Sequence, residues 1–124
     1  MELNQFFKSI IDTDRQAVVV CDTEHTIIYM NPSAEKRYEK RGGVMLIGQS
    51  ILDCHSPKSR ESILKIVEWF SKSKDNNIVH TFYNKNDNID FYMIALRDEK
   101  GELIGYYEKH ENRNVDDMKF YDYE

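Results

Sequence analysis

Cys54 and His55 are the residues in this 124-residue chain whose types most directly suggest chemistry, a thiol beside an imidazole just ahead of a helix start at Ser56-Pro57. A histidine at such a place can ligate haem iron or another metal, or bond an acidic molecule with help from the helix dipole. Adjacent residues in a strand or turn point apart, so a Cys–His nucleophile pair is poorly supported. The plain alternative is a small buried thiol and a locally bonded histidine. His80 is the second candidate: it falls in an alternating strand and lines a pocket if it faces inward. His25 sits in a turn and His110 at a polar strand end, where both are expected to be solvated. No two histidines stand at i, i+4 and there is no CxxC, so no metal site is read. Gly42-Gly43 lacks the following Lys-Ser of a phosphate loop and reads as a helix stop.

Composition narrows the classes. With 17 basic and 22 acidic side chains the net charge is −5, which disfavours nucleic acid as a partner because phosphate neutralisation needs a basic face. No apolar run approaches the ~20 residues of a membrane span, and the acidic start Met1-Glu2-Leu3-Asn4 does not read as a signal peptide. Two cysteines are too few for a secreted disulfide scaffold, so a reduced, cytoplasmic setting is expected. At 40% apolar and 12% aromatic, the chain can build one core and is not disordered.

The candidate residues need elements to hold them. Leu3, Phe6, Phe7, Ile10 and Ile11 follow the i, i+3, i+4, i+7, i+8 template of a one-sided helix. Residues 16–21 are a β-branched run suited to a covered strand, and Thr26–Met30 completes a hairpin. Asn31-Pro32 and Ser56-Pro57 are cap-plus-proline helix starts, predicting a short helix over Ser33 to Tyr38 and a long one over 57–73. The long helix carries Ile63, Ile66, Val67 and Phe70 on one side. Val44–Gly48 reads as a single helical turn. Three strands follow, over Ile78–Tyr83, Ile89–Leu96 and Leu103–His110, with Ile78, His80 and Phe82 expected on one face of the first. The polar end of the last, Glu108-Lys109-His110-Glu111, is expected to run into solvent.

This order predicts an α+β fold: a five-stranded antiparallel sheet with helices on one face and an N-terminal flanking helix. The division is 1–13 for that helix, 14–112 for the sheet domain and 113–124 for an acidic aromatic tail. Such a sheet can enclose a cavity beneath the long helix. Ile89, Phe91, Met93 and Ala95 are expected on the inner face of the fourth strand, opposite Val67, Phe70, Met30 and Tyr38. An ordinary filled core is the competing expectation. Tyr92, Ile94 and Leu96 make the other face apolar too. The stripe Leu3/Phe6/Phe7/Ile10/Ile11 is the available cover, from the same chain or from a second copy in a homodimer.

Several segments in this order resemble a PAS domain, over about residues 5–111: Ala17-Val18-Val19-Val20-Cys21-Asp22, Ile27-Ile28-Tyr29-Met30-Asn31-Pro32-Ser33-Ala34, Leu46-Ile47-Gly48-Gln49-Ser50 and Arg97-Asp98-Glu99-Lys100-Gly101-Glu102-Leu103-Ile104-Gly105. The resemblance implies a sensory or interaction module, not an enzyme, that binds haem, flavin, a small metabolite or nothing, and pairs through its sheet and flanking helix. Flavin photoreceptor members carry a reactive cysteine shortly after the Ile-Gly; the counted position here is Ile51, which speaks against flavin. Oxygen-sensing haem members place their histidine in the long helix, where this chain has Glu61 or Ser62. Haem would then fall to His55. The family's Asp-Ile-Thr after the last strand is replaced by His110-Glu111-Asn112-Arg113, which implies a stand-alone protein.

The functional expectation is a signalling module that dimerises and takes up an unidentified small ligand or haem. The residues expected to line that site are His55, Met30, Tyr38, Val67, Phe70, His80, Phe91 and Met93. A ligand-free interaction adaptor is the alternative, and a small Cys54/His55 enzyme a distant third.

Overall fold

Two polar side chains start the helices that cross over the sheet. Asn31 Oδ1 accepts the backbone N–H of Ala34 at 3.0 Å and Ser56 Oγ that of Ser59 at 3.3 Å, each with proline at the first helical position. The computed structural model describes residues 2–122; Met1, Tyr123 and Glu124, which include the last two positions of the expected tail, lie outside the described residues. The helices are α1 (Leu3–Asp12), α2 (Pro32–Arg37) and α3 (Pro57–Lys72), with short 3-10 turns at Glu39–Arg41, Gly43–Leu46 and Ile51–Cys54. The strands are β1 (Val18–Asp22), β2 (Ile27–Met30), β3 (Ile78–Asn84), β4 (Ile89–Arg97) and β5 (Leu103–Asn112).

The strands form one antiparallel sheet in the order β2-β1-β5-β4-β3, so the first and last strands lie side by side at its centre. Pairing there is close: a Cβ on Gly105 would lie 2.3 Å from the Cys21 carbonyl oxygen, which leaves room only for glycine. The hairpin turns use left-handed residues, Asn88 (φ 56°) between β3 and β4 and Gly101 (φ 81°) between β4 and β5. Val19, Cys21, Met30, Met93 and Tyr106 of the inner face pack with Ala34, Ile51, Ile63 and Phe70 of the helical pieces to make the core. Arg97, at the end of β4, donates to the carbonyls of Phe70, Ser73 and Asn76 at 2.8, 3.0 and 2.9 Å. It thereby satisfies two carbonyls at the C-terminal end of α3, those of Phe70 and the cap Ser73, and ties down the loop that follows through Asn76. The expected architecture is therefore present.

One strand departs from the expected alternation. The β3–β4 register shifts between His80 and Phe82, so that His80 opposes Tyr92 while Phe82 opposes Phe91. An extra residue in one strand reverses which face the following side chains occupy. Ile78 and His80 thus share the outer face, whereas Phe82 joins Phe91 on the inner one, correcting the reading that put all three together.

The outer face is not covered by the chain's own first helix. No residue of α1 is buried, and Leu3, Phe6, Phe7 and Ile10 are 52–66% exposed. The helix is held at its end instead: Asn31 Nδ2 donates to the Ile11 carbonyl at 3.0 Å and the Tyr29 hydroxyl donates to Asp12. The segment after β5 has no helix or strand among residues 113–122, but its start is anchored to the outer face. Arg113 grips Asp90 with two bonds of 2.6 and 2.7 Å and stacks over Tyr83, and Arg15 pairs with Asp116.

Candidate functional site

Between the inner sheet face and the helical pieces lies a cavity of about 930 Å³, at the upper end of the ~300–1,000 Å³ usual for small-molecule sites. Its apolar wall comes from period-2 positions of the strands, Val19, Met30, Val79, Phe91 and Met93. On α3 the wall is Ser59, Ser62, Ile63 and Ile66, the i, i+3, i+4, i+7 face of the helix. Arg37, Tyr38 and Arg41 line it from α2 and the turn that follows, and Ile51, Cys54 and His55 from the turn before α3.

Of the residues expected here, Met30, Tyr38, His55, Phe91 and Met93 line the cavity. Val67 and Phe70 do not: Phe70 is wholly buried in the core, and Val67 packs against that core one helical step away from the open side. His80 borders the cavity, but its imidazole is turned to the outer face. There Nε2 meets Asp90 Oδ1 at 2.8 Å, and the ring stacks on Tyr92 at 4.9 Å. His55 Nδ1 bonds the Ile51 carbonyl at 2.8 Å, which directs the hydrogen to Nδ1 and leaves Nε2 as the lone pair. Among the described residues no hydrogen bond joins His55 to the Cys54 thiol, and no group of His, Cys, Asp and Glu has the arrangement of a metal site.

The polar floor was missed by the sequence reading. Glu108 and His110 do not run into solvent: with Tyr106 they occupy the inner face of β5, opposite Met93, Phe91 and Ala95. His110 is 1% exposed and lies flat on the Phe91 ring at 3.9 Å. Its Nε2 bonds Glu108 Oε1 at 3.0 Å, and the Tyr38 hydroxyl donates to the same oxygen at 3.3 Å. Burial pushes the Glu108 carboxyl up, but the His110 bond, nearby His55 and the Tyr38 hydroxyl together outweigh it and hold the group below its ordinary value. Burial also raises the Tyr38 hydroxyl, keeping it a donor. His25 likewise is not simply solvated; its Nδ1 is 2.8 Å from the hydroxyl of buried Tyr106. The signal for the floor was the alternation Tyr106, Glu108, His110, which places all three on one face once β5 is central.

A family model described as a PAS domain matches residues 15–108. Among solved structures, a C-terminal domain from Streptococcus mutans is similar with a TM-score of 0.72 and 19% identity, over 90% of this chain and 85% of that one. The PAS domain of a Colwellia psychrerythraea protein gives 0.65 and 20%, over 90% and 97%. The Aer2 receptor from Vibrio cholerae, described as a dual PAS-heme oxygen sensor, gives 0.57 and 18%, over 80% and 95%. No curated protein matches the chain at a significant level.

Proposed function

The chain belongs to the PAS domain family, and on that premise we propose that it is a sensory module that takes up a small molecule between sheet and helices and works as a pair of identical chains. The observation that carries the first part is the cavity of about 930 Å³. A recess of this size between sheet and helices, open on one side and with convergent polar groups, favours a ligand site over a filled adaptor core. Met30, Tyr38, His55, Phe91 and Met93 are its contact residues, with Glu108 as its charged floor. The pairing rests on the bare stripe Leu3, Phe6, Phe7, Ile10 and half-buried Ile11, together with outer-face Tyr92, Ile94 and Leu96, which a second copy covers in one isologous contact.

Purified chain is tested by native mass spectrometry for a co-purifying mass and by melting shifts against metabolites. A retained mass or a saturable shift supports the reading. Colourless, ligand-free protein that responds to nothing favours the adaptor.

A second reading, haem, has one supporting observation. His55 donates through Nδ1 to a backbone carbonyl, the arrangement that orients a metal-ligating imidazole. It would hold the iron through Nε2, with Arg37 and Arg41 for the propionates, and the group would supply gas binding or redox chemistry. It ranks second because an apolar macrocycle over Glu108 would strand a carboxylate. A Soret shift on haem titration, lost in His55→Ala, would reverse that ranking.

A further inference from the structure

The Glu108 carboxylate is served on one side only. Both protein donors, His110 Nε2 at 3.0 Å and the Tyr38 hydroxyl at 3.3 Å, go to Oε1. Among the described residues Oε2 accepts no hydrogen bond. It is not sealed either: the one fully buried side-chain nitrogen or oxygen without a partner, among the described residues, is His110 Nδ1. Glu108 lines the cavity, so Oε2 is the oxygen left for a bound molecule.

His110 decides what charge that oxygen presents. Its Nε2 donates to Glu108 while Nδ1 is buried without a partner. An imidazolium would place a second N–H in that spot with no acceptor, which costs far more than a bare lone pair. The neutral tautomer fits, and it does not cancel the carboxylate. Arg37 and Arg41 also line the cavity, but among the described residues neither bonds the Glu108 carboxylate: Arg37 lies over the Phe91 ring at 5.4 Å and pairs with Asp87 at 3.6 Å, and Arg41 reaches the Cys54 carbonyl at 3.5 Å. The floor therefore offers a negative acceptor beside an apolar wall of Met30, Ile63, Phe91 and Met93, in a recess that is open on one side and carries polar side chains at its other wall.

We propose that the ligand is an organic cation, a protonated amine or amidinium on an apolar body, with its N–H groups received by Glu108 Oε2 and its body among the methionines and Phe91. The inference rests on the cavity being a ligand site and adds the chemical class. A neutral or anionic ligand would leave this acceptor unpaired or face it with like charge, so discrimination follows from desolvation as well as attraction.

The test uses the whole chain with ¹³C-labelled methionine methyls. Met30 and Met93 line the cavity, while Met45 and Met118, 78% and 63% exposed, report non-specific binding. Benzamidine and phenethylamine are titrated beside benzamide and benzoate. The expected result is saturable shifts at Met30 and Met93 with the two cations, binding about tenfold or more weaker for benzamide, and none for benzoate. Glu108→Gln keeps an oxygen for His110 and Tyr38 and should weaken the cations by a similar factor. Should that variant fail to fold, the wild-type series decides alone. Equal binding of benzamide, or preference for benzoate, overturns the cation and leaves the cavity a ligand site. Shifts confined to Met45 and Met118, or no cavity shift with any probe, also overturn it, and the metabolite screen then judges the cavity separately.

Discussion

Glu108 and His110 stand two residues apart on β5, share its inner face, and are joined by a bond of 3.0 Å from the imidazole to the carboxylate. A carboxylate and an imidazole on a central strand are each costly to bury, and each offsets part of the other's cost. His110 adds a flat contact with Phe91, 6° from parallel, so the polar pair is also packed.

That pair predicts an acid limb. The folded chain holds the Glu108 carboxyl below its ordinary value, so the folded state binds this proton less readily than the unfolded state. Its contribution is present above the unfolded value of about 4.3 and is lost as pH falls through the folded one. Urea unfolding between about pH 6 and pH 3 should show stability falling with pH, and Glu108→Gln should make the slope shallower. An unchanged slope would show that the acid limb comes from other carboxylates, such as Asp90 held low by Arg113.

Asn31 predicts the largest single loss. It is fully buried, accepts from Val18 N at 2.9 Å and Ala34 N at 3.0 Å, and donates to the Ile11 and Gln16 carbonyls, both at 3.0 Å. One side chain thus ties the end of α1, the start of β1 and the start of α2. Asn31→Ala strands these buried groups and should cost about 2–4 kcal/mol in chemical unfolding. A loss below about 1 kcal/mol, that of an ordinary exposed cap, would contradict it.

The two thiols should react at different rates. Burial pushes the Cys21 thiol up to about 12, against a partial lowering by Tyr106, and the residue is 1% exposed. Cys54 is half-buried at the cavity wall. Iodoacetamide on native protein should label Cys54 alone, with Cys21 labelled only after denaturation. Mass-resolved peptides check this, and early labelling of Cys21 would contradict the packing around Tyr106.

The bare helix stripe predicts self-association. Phe6 and Ile10 are 52% and 66% exposed and lie one turn apart on α1. Phe6→Glu with Ile10→Glu should convert a concentration-dependent dimer to monomer in sedimentation equilibrium, with the melting temperature at low concentration little changed because neither residue is in the core. A wild-type chain that is monomeric at high concentration would remove the pairing from the proposed function.

The elements themselves were legible in the sequence because their causes are local. Asn31-Pro32 and Ser56-Pro57 start helices by satisfying backbone N–H groups within a turn. Asn88 and Gly101 close hairpins because they tolerate positive φ. Which side of the sheet a residue faces was not local. His80 borders the cavity yet aims its ring at Asp90 and Tyr92, because it pairs with outer-face Tyr92, and the register shift that follows carries Phe82 to the inner face instead. Glu108 reached the cavity, with His110 buried against Phe91 beside it, because β5 lies between β1 and β4, so the strand's polar end is covered where an edge strand would meet water. Local alternation thus marks where strands and helices form and which residues share a face. Only the order of strands and the bulge in β3 decide which face is inside, because those depend on partners far along the chain. That is how Glu108, read as solvated, became the floor of the site, and how His110 became its buried partner.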